Sequence, residues 1–281
     1  MTAILGGLGA AGSWAVAMLC SARASRSLGA ALTLAWVMGI GLAATLPFAV
    51  LTGVVPRGTA AGWLTIAAAG NVAGLLLEYQ AVRSGKVGVV AAIVSTEGAF
   101  AATIAALSGE SLTVATAIVL AAIAAGIVLA SMTDEGRALT SDVHPSRPLF
   151  LALSAALCFS IGLFAAGHVS GDVPVAWVIL PGRLLGVAIV AVPLALRGRL
   201  RLDRAVAPFV TVTALAEITG IACFALGARD AIGVTSVLAS QFAAIAALGA
   251  FFLFGERLRR MQVASVAVIV VGVSALAVLR A

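Results

Sequence analysis

The sequence predicts an all-α polytopic membrane protein of ten transmembrane helices in two inverted five-helix repeats. Three observations carry that prediction. The first is composition: of 281 residues, 62% are hydrophobic and 10% charged, with a mean hydropathy of +1.18. A soluble domain is about half apolar and about a quarter charged. The second is ten continuous apolar runs of about 18–24 residues, each long enough to cross a bilayer as a helix. A transmembrane β-barrel would need alternating segments of about 10 residues instead. The third is a passage written twice. Residues 85–95 read GKVGVVAAIVS and residues 230–240 read DAIGVTSVLAS, so Gly88, Val89 and Ser95 match Gly233, Val234 and Ser240. Further on, Gly109, Glu110, Leu112, Ile123 and Gly126 recur as Gly255, Glu256, Leu258, Ile269 and Gly272. A repeat of about half the chain marks a duplicated membrane unit, an architecture used by many transporters.

The first half is predicted to hold spans 2–20, 30–51, 60–82, 87–107 and 112–132. Nothing basic precedes the first span, while Arg23 and Arg26 follow it. That flank order suits an uncleaved anchor rather than a signal peptide, although Ala22 and Ala24 form an Ala-x-Ala. Residues 133–148 (TDEGRALTSDVHPSRP) are the longest polar gap and read as a cytoplasmic linker. The second half, 149–281, holds spans 149–168, 174–196, 206–227, 231–254 and 261–279. Five spans per half is odd, so the halves must insert in opposite senses. Loop charge agrees, because 13 of the 17 Lys and Arg residues fall in the odd-numbered loops. The positive-inside rule then places those loops in the cytoplasm and both termini outside. The same distribution accounts for the net charge of +6 without nucleic acid as a partner. Cys20, Cys158 and Cys223 lie inside apolar runs and read as small core residues.

The residues here resemble the drug/metabolite transporter superfamily, and within it the paired EamA-type repeats. The resemblance rests on Gly109-Glu110-Ser111-Leu112-Thr113, on Gly255-Glu256-Arg257-Leu258-Arg259, on Ser13-Trp14 in span 1 and on Arg183 inside span 7. It covers the whole chain, 1–132 as one five-helix repeat and 149–281 as the other. It implies a basket of ten helices around a central cavity, and movement of a small metabolite across the cytoplasmic membrane, commonly as export. The sequence departs from the pattern in two places. Gly39 stands near the position in span 2 that matches Arg183, and span 6 reads Cys158-Phe159-Ser160 with no Trp matching Trp14.

Polar groups inside hydrocarbon need a reason, since a charge there costs roughly 2.5–3.5 kcal/mol even on insertion scales. Glu97, Glu217, Asn71 and Gln241 fall at the centres of spans 4, 8, 3 and 9, with Arg183 about two residues from the centre of span 7. Arg183 has two readings: an ion pair that orients its helix, or recognition of a substrate carboxylate or phosphate. One arginine neutralises one carboxylate, and an unpaired carboxylate in low dielectric keeps its proton. Glu97 or Glu217 is therefore a candidate for proton coupling or for binding a substrate amine. Glu217 is preferred, because Thr213 and Gly220 give it a small, partly polar face. Glu78 reads as a snorkelling group near the helix end, or as a gate. Glu110 and Glu256 read as structural caps of helix starts, with Gly109 and Gly255 beside them. Trp63 and Trp177 lie near span ends as interfacial anchors, whereas the deeper Trp14 and Trp36 either pack the core or stack on substrate. Gly70-x-x-x-Gly74 and Gly182-x-x-x-Gly186 permit close helix packing.

No His-Glu-x-x-His, Gly-rich phosphate loop or nucleophile–base pair stands in the sequence, so neither an enzyme nor a cofactor or metal is expected. The expected function is a secondary transporter for a small amino-acid-like, nucleoside-like or drug-like molecule. Its expected partners are that substrate, the lipid bilayer and protons. A lipid-linked carrier or flippase subunit, and a membrane scaffold, are the alternatives.

Overall fold

The computed structural model describes residues 1–109, 118 and 146–255. The predicted spans 112–132 and 261–279, most of the linker, and Glu110 and Glu256 lie outside the described residues. Within them the chain is helical throughout: α1 (Thr2–Leu28), α2 (Ala30–Leu51), α3 (Thr59–Ser84), α4 (Val87–Val94), α5 (Thr96–Leu107), α6 (Ser146–Val169) and α7 (Val175–Gly186). A π-helical turn, Val187–Ala191, joins α7 to α8 (Val192–Leu196). Then come α9 (Ala207–Ala228), α10 (Ile232–Ala239) and α11 (Phe242–Phe254). Eight of the resulting helical stretches are long and apolar enough to cross a membrane.

Boundaries differ from expectation where local chemistry extends or breaks a helix. α1 continues to Leu28, because Ser21 to Ser27 contains no helix breaker and the turn comes only at Gly29, with φ 89°. The two arginines of that last stretch are put to use. Arg26 donates to the Val82 and Gly85 carbonyls and its guanidinium lies 5.2 Å from the Phe254 ring centre. Arg23 lies 5.7 Å from that of Phe209. The fourth and ninth spans are each interrupted at mid-length. α4 stops at Ser95 (φ −62°, ψ −10°) and α10 at Ser240 (φ −64°, ψ −7°), two positions matched by the repeat. In each case the serine hydroxyl turns back onto its own helix, Ser95 to the Ala92 carbonyl at 2.8 Å and Ser240 to that of Val237 at 2.7 Å. A hydroxyl that competes for backbone acceptors favours such a break.

Packing is dominated by two long seams. α1 runs along α9, and α3 runs along α6. Alanine and glycine line both, so backbones come close, as membrane helices with no hydrophobic drive between them require. A Cβ on Gly6 would stand 2.5 Å from the Cys223 carbonyl oxygen and 2.7 Å from Gly227 Cα. A Cβ on Gly70 would stand 2.5 Å from the Cys158 carbonyl oxygen and 2.8 Å from Gly162 Cα. α2 packs on α7 at the side, α5 crosses α10, and α4 lies on α11. Leu, Ile, Val and Phe side chains such as Phe48, Ile161 and Phe252 point outward, the surface that a bilayer solvates.

Candidate functional site

The site is built where the two seams face each other. A cavity of about 430 Å³ of empty space lies there, lined by Trp14 and Met18 of α1, Asn71 and Glu78 of α3, Glu97 of α5, and Phe159 and Leu163 of α6. Glu217 and Ile221 of α9 and Phe242 of α11 complete it. Asn71, Phe159, Leu163 and Ile221 also line a second cavity that continues toward Val178, Gly182 and Phe224. All three acids found in the described spans thus meet in one space: Glu78, Glu97 and Glu217 are 7%, 4% and 7% exposed.

Each carboxylate is placed by its helix register. Glu78 lies seven residues after Asn71, two turns along one face, and both reach the cavity. The expectation of a snorkelling Glu78 is therefore corrected: α3 runs on to Ser84 and keeps Glu78 inside the protein. Glu97 sits in the first turn of α5, just past the break at Ser95. Its backbone carbonyl accepts from Ser160 Oγ of α6 at 3.2 Å, which ties the broken span to the α3–α6 seam. Glu217 lies in the middle of α9, and its partner is Arg183: Nη2 to Oε2 is 3.8 Å. The face of α9 expected to line the cavity with Glu217 does not do so. Thr213 is buried and donates to the Phe209 carbonyl at 2.8 Å, and Gly220 is covered by the Trp14 indole.

Arg183 is fully buried. Its Nη1 donates to Met38 Sδ at 3.5 Å, while Nε and Nη2 have no hydrogen-bond partner. Met38, not Gly39, is the residue opposite it. Met38 and Arg183 are 145 positions apart, the interval of the repeat. The clearings that admit these two side chains are 145 apart as well. A Cβ on Gly41 would stand 2.9 Å from Arg183 Cδ, and one on Gly186 would stand 2.7 Å from Met38 Sδ. The seams follow the interval to within one residue, with Trp14 and Phe159 145 apart and Gly74 and Gly220 146 apart. Trp14 lies over Gly220 and Phe159 lies over Gly74, with the Phe159 ring 2.6 Å from the position of a Gly74 Cβ. Phe159 is thus the counterpart of Trp14 that a search for a second Trp misses; shifting Trp14 by the repeat interval finds it.

Other expected residues fall elsewhere. Gln241 sits at the break between α10 and α11, 8% exposed, with Nε2 unpartnered, and does not line the cavity. Trp36 packs against the core and also donates its indole N–H to the Arg201 carbonyl at 3.1 Å, which ties down that loop. Trp177 donates to Thr52 Oγ1 at 3.1 Å, and Trp63 packs on Phe164 and His168 near the span end. Gly109 and Gly255 both take positive φ, 103° and 65°, and end α5 and α11 as turn residues. Among the described residues, no group of three His, Cys, Asp or Glu has the spacing to hold a metal ion.

Eight apolar helices, buried charges and a cavity between seams define a multi-pass helical membrane protein. Residues 1–132 match the model of the EamA-like transporter family, part of the drug/metabolite transporter superfamily. That match suggests a membrane transporter of this type. A solved structure described as "Crystal structure of protein" has the same fold, with a TM-score of 0.76 at 16% identity over 99% of this chain and 98% of that one. No curated protein matches the chain.

Proposed function

We propose that the protein is a secondary transporter of two inverted five-helix repeats, which exports a small metabolite across the cytoplasmic membrane by alternating access. The odd-numbered loops face the cytoplasm and both termini lie outside. The observation that carries the reading is the cavity with Glu78, Glu97, Glu217 and Asn71 between seams related by the repeat interval. Burying three carboxyls and a guanidinium is expensive, and a scaffold has no use for them. A site at the repeat interface, flanked by interrupted helices, is the arrangement by which such folds expose one site to either side. The pseudo-twofold axis passes between Met38 and Arg183, so the α1–α9 and α3–α6 seams exchange roles when one half rocks against the other.

Protons are the proposed coupling ion. The groups that share or border the cavity are Glu78, Glu97, Glu217 and Arg183, with Tyr79 beside them on α3. One guanidinium balances one carboxylate, and the remaining carboxyls exchange protons with solvent when the cavity opens. Metabolite profiling of cells that over-express the wild type, E217Q or no protein tests the transport reading. A small set of solutes should leave the cell with the wild type alone, and three identical profiles would overturn transport. In proteoliposomes, E97Q and E217Q should flatten the pH dependence of flux; two unchanged profiles would overturn proton coupling.

A further inference from the structure

We propose that the cavity is a receptor for an organic cation, an ammonium group carried on a small apolar or aromatic body. This rests on the cavity being the transport site and names the substrate class it takes. The charge inventory is the first ground. Glu78, Glu97 and Glu217 line the cavity, and Arg183 is paired with Glu217. Asn71, the other polar liner, is neutral. Two buried carboxyls are left facing a space that a cationic ligand can fill, and a buried anion is stable only when a cation or proton meets it.

Arg183 is the second, independent ground. Its Nε and Nη2 form one edge of the guanidinium fork, fully buried and without a hydrogen bond. That edge fits a carboxylate, and Glu217 Oε2 stands before it at 3.8 Å, too far for a hydrogen bond. Arg183 does not line the cavity, and Glu217 does. Glu217 therefore stands between the guanidinium and the ligand space. An anionic substrate would have to displace Glu217 to reach Arg183, whereas a cation meets carboxylates directly. The open fork is the place Glu217 retreats to when the cavity holds no cation. Arg183 is then a positioning residue, which holds one carboxylate in reserve without touching the ligand.

The walls decide between an inorganic and an organic cation. Trp14, Phe159 and Phe242 line the cavity together with Met18, Leu163 and Ile221. Aromatic faces attract ammonium groups and pack an apolar body. The three carboxyls lack the mutual spacing of a metal site, so they surround a molecule rather than converge on one ion.

The test uses the full-length protein purified in detergent and four probes of nearly one shape: 2-phenylethylamine, 2-phenylethanol, phenylacetate and L-phenylalanine. Affinity is read by calorimetry at neutral pH. The amine should bind at least about tenfold more tightly than the alcohol, the margin of a buried charge-assisted contact, and phenylacetate should not bind. Equal affinity for amine and alcohol would make the cavity merely apolar and overturn the proposal. Preference for phenylacetate or L-phenylalanine would make Arg183 an anion receptor and overturn it, as would binding of none of the four. E97Q should weaken the amine about tenfold and leave the alcohol unchanged; an unchanged amine affinity would count against the assignment. If E97Q does not fold, the wild-type series still decides. A protein that binds the amine yet moves no solute keeps this site and loses the transport reading. One that moves solutes and ignores the amine loses this inference alone.

Discussion

The α1–α9 seam and the α3–α6 seam solve one packing problem with different residues. Each uses a glycine pressed on a backbone carbonyl, Gly6 on Cys223 and Gly70 on Cys158, and an aromatic ring laid over a second glycine. The ring is Trp14 in one seam and Phe159 in the other. At the α2–α7 contact the divergence is larger. Two side chains enter two glycine clearings, and one is the apolar Met38 while the other is the charged Arg183. Both seams keep a close backbone approach, and polarity changes between the matched side chains Met38 and Arg183. The scaffold is common property of the halves, and the chemistry is added to one side of it.

Making the halves alike at Arg183 should have the largest effect. R183M turns the α7 residue into its α2 counterpart and leaves Glu217 buried without a cation. Removing one partner of a buried pair costs about 3–5 kcal/mol, read as a large loss of thermal stability in detergent. The double variant R183M/E217Q should recover most of that loss, since the uncompensated charge is gone. Full recovery would show Arg183 to be needed for Glu217 alone; no recovery would show that its stem in the Gly41 clearing matters more than its charge.

Next come the glycines shared by both seams. G6A and G70A each drive a methyl group against backbone atoms that cannot swing away. Overpacking of this kind costs about 1–3 kcal/mol. The two variants should melt at similarly lowered temperatures, because the two close approaches are nearly equal. If G70A is much milder than G6A, the seams are not equivalent, and the α3–α6 seam has the more slack.

Much of this was legible in the sequence, in proportion to how local its cause is. Apolar run length set eight of the helices, and the repeat interval aligned Ser95 with Ser240. What a linear pattern does not carry is which way a polar residue points. Gln241 occupies the centre of its span, yet it sits at a helix break outside the cavity, whereas Glu78, nearer its helix end, lines it. A slip of one residue turns a helix position by about 100°, enough to exchange cavity for core. Thr213 and Gly220 illustrate the same limit. They share a helix face near Glu217, and that face is used against α1. Phe159 and Met38 were concealed by residue type, since aromatic and apolar side chains in apolar spans carry no signal until the repeat interval points to them.

The smallest effect is expected where the seams differ only in ring size. W14F gives the α1–α9 seam the ring that already serves the α3–α6 seam over Gly74. Trp14 is only partly buried, and its ring packs on Phe224 with centroids 6.1 Å apart. A swap that keeps aromatic character should cost less than about 1.5 kcal/mol, measured by thermal unfolding. The reverse swap, F159W, should cost more, because it adds ring volume at a buried position that Phe159 already fills. The informative outcome is a dissociation of stability from binding. If W14F melts as the wild type does but binds 2-phenylethylamine about tenfold more weakly, the indole contributes recognition beyond its packing. The two rings would then be alike in structure and unlike in function, as Met38 and Arg183 are.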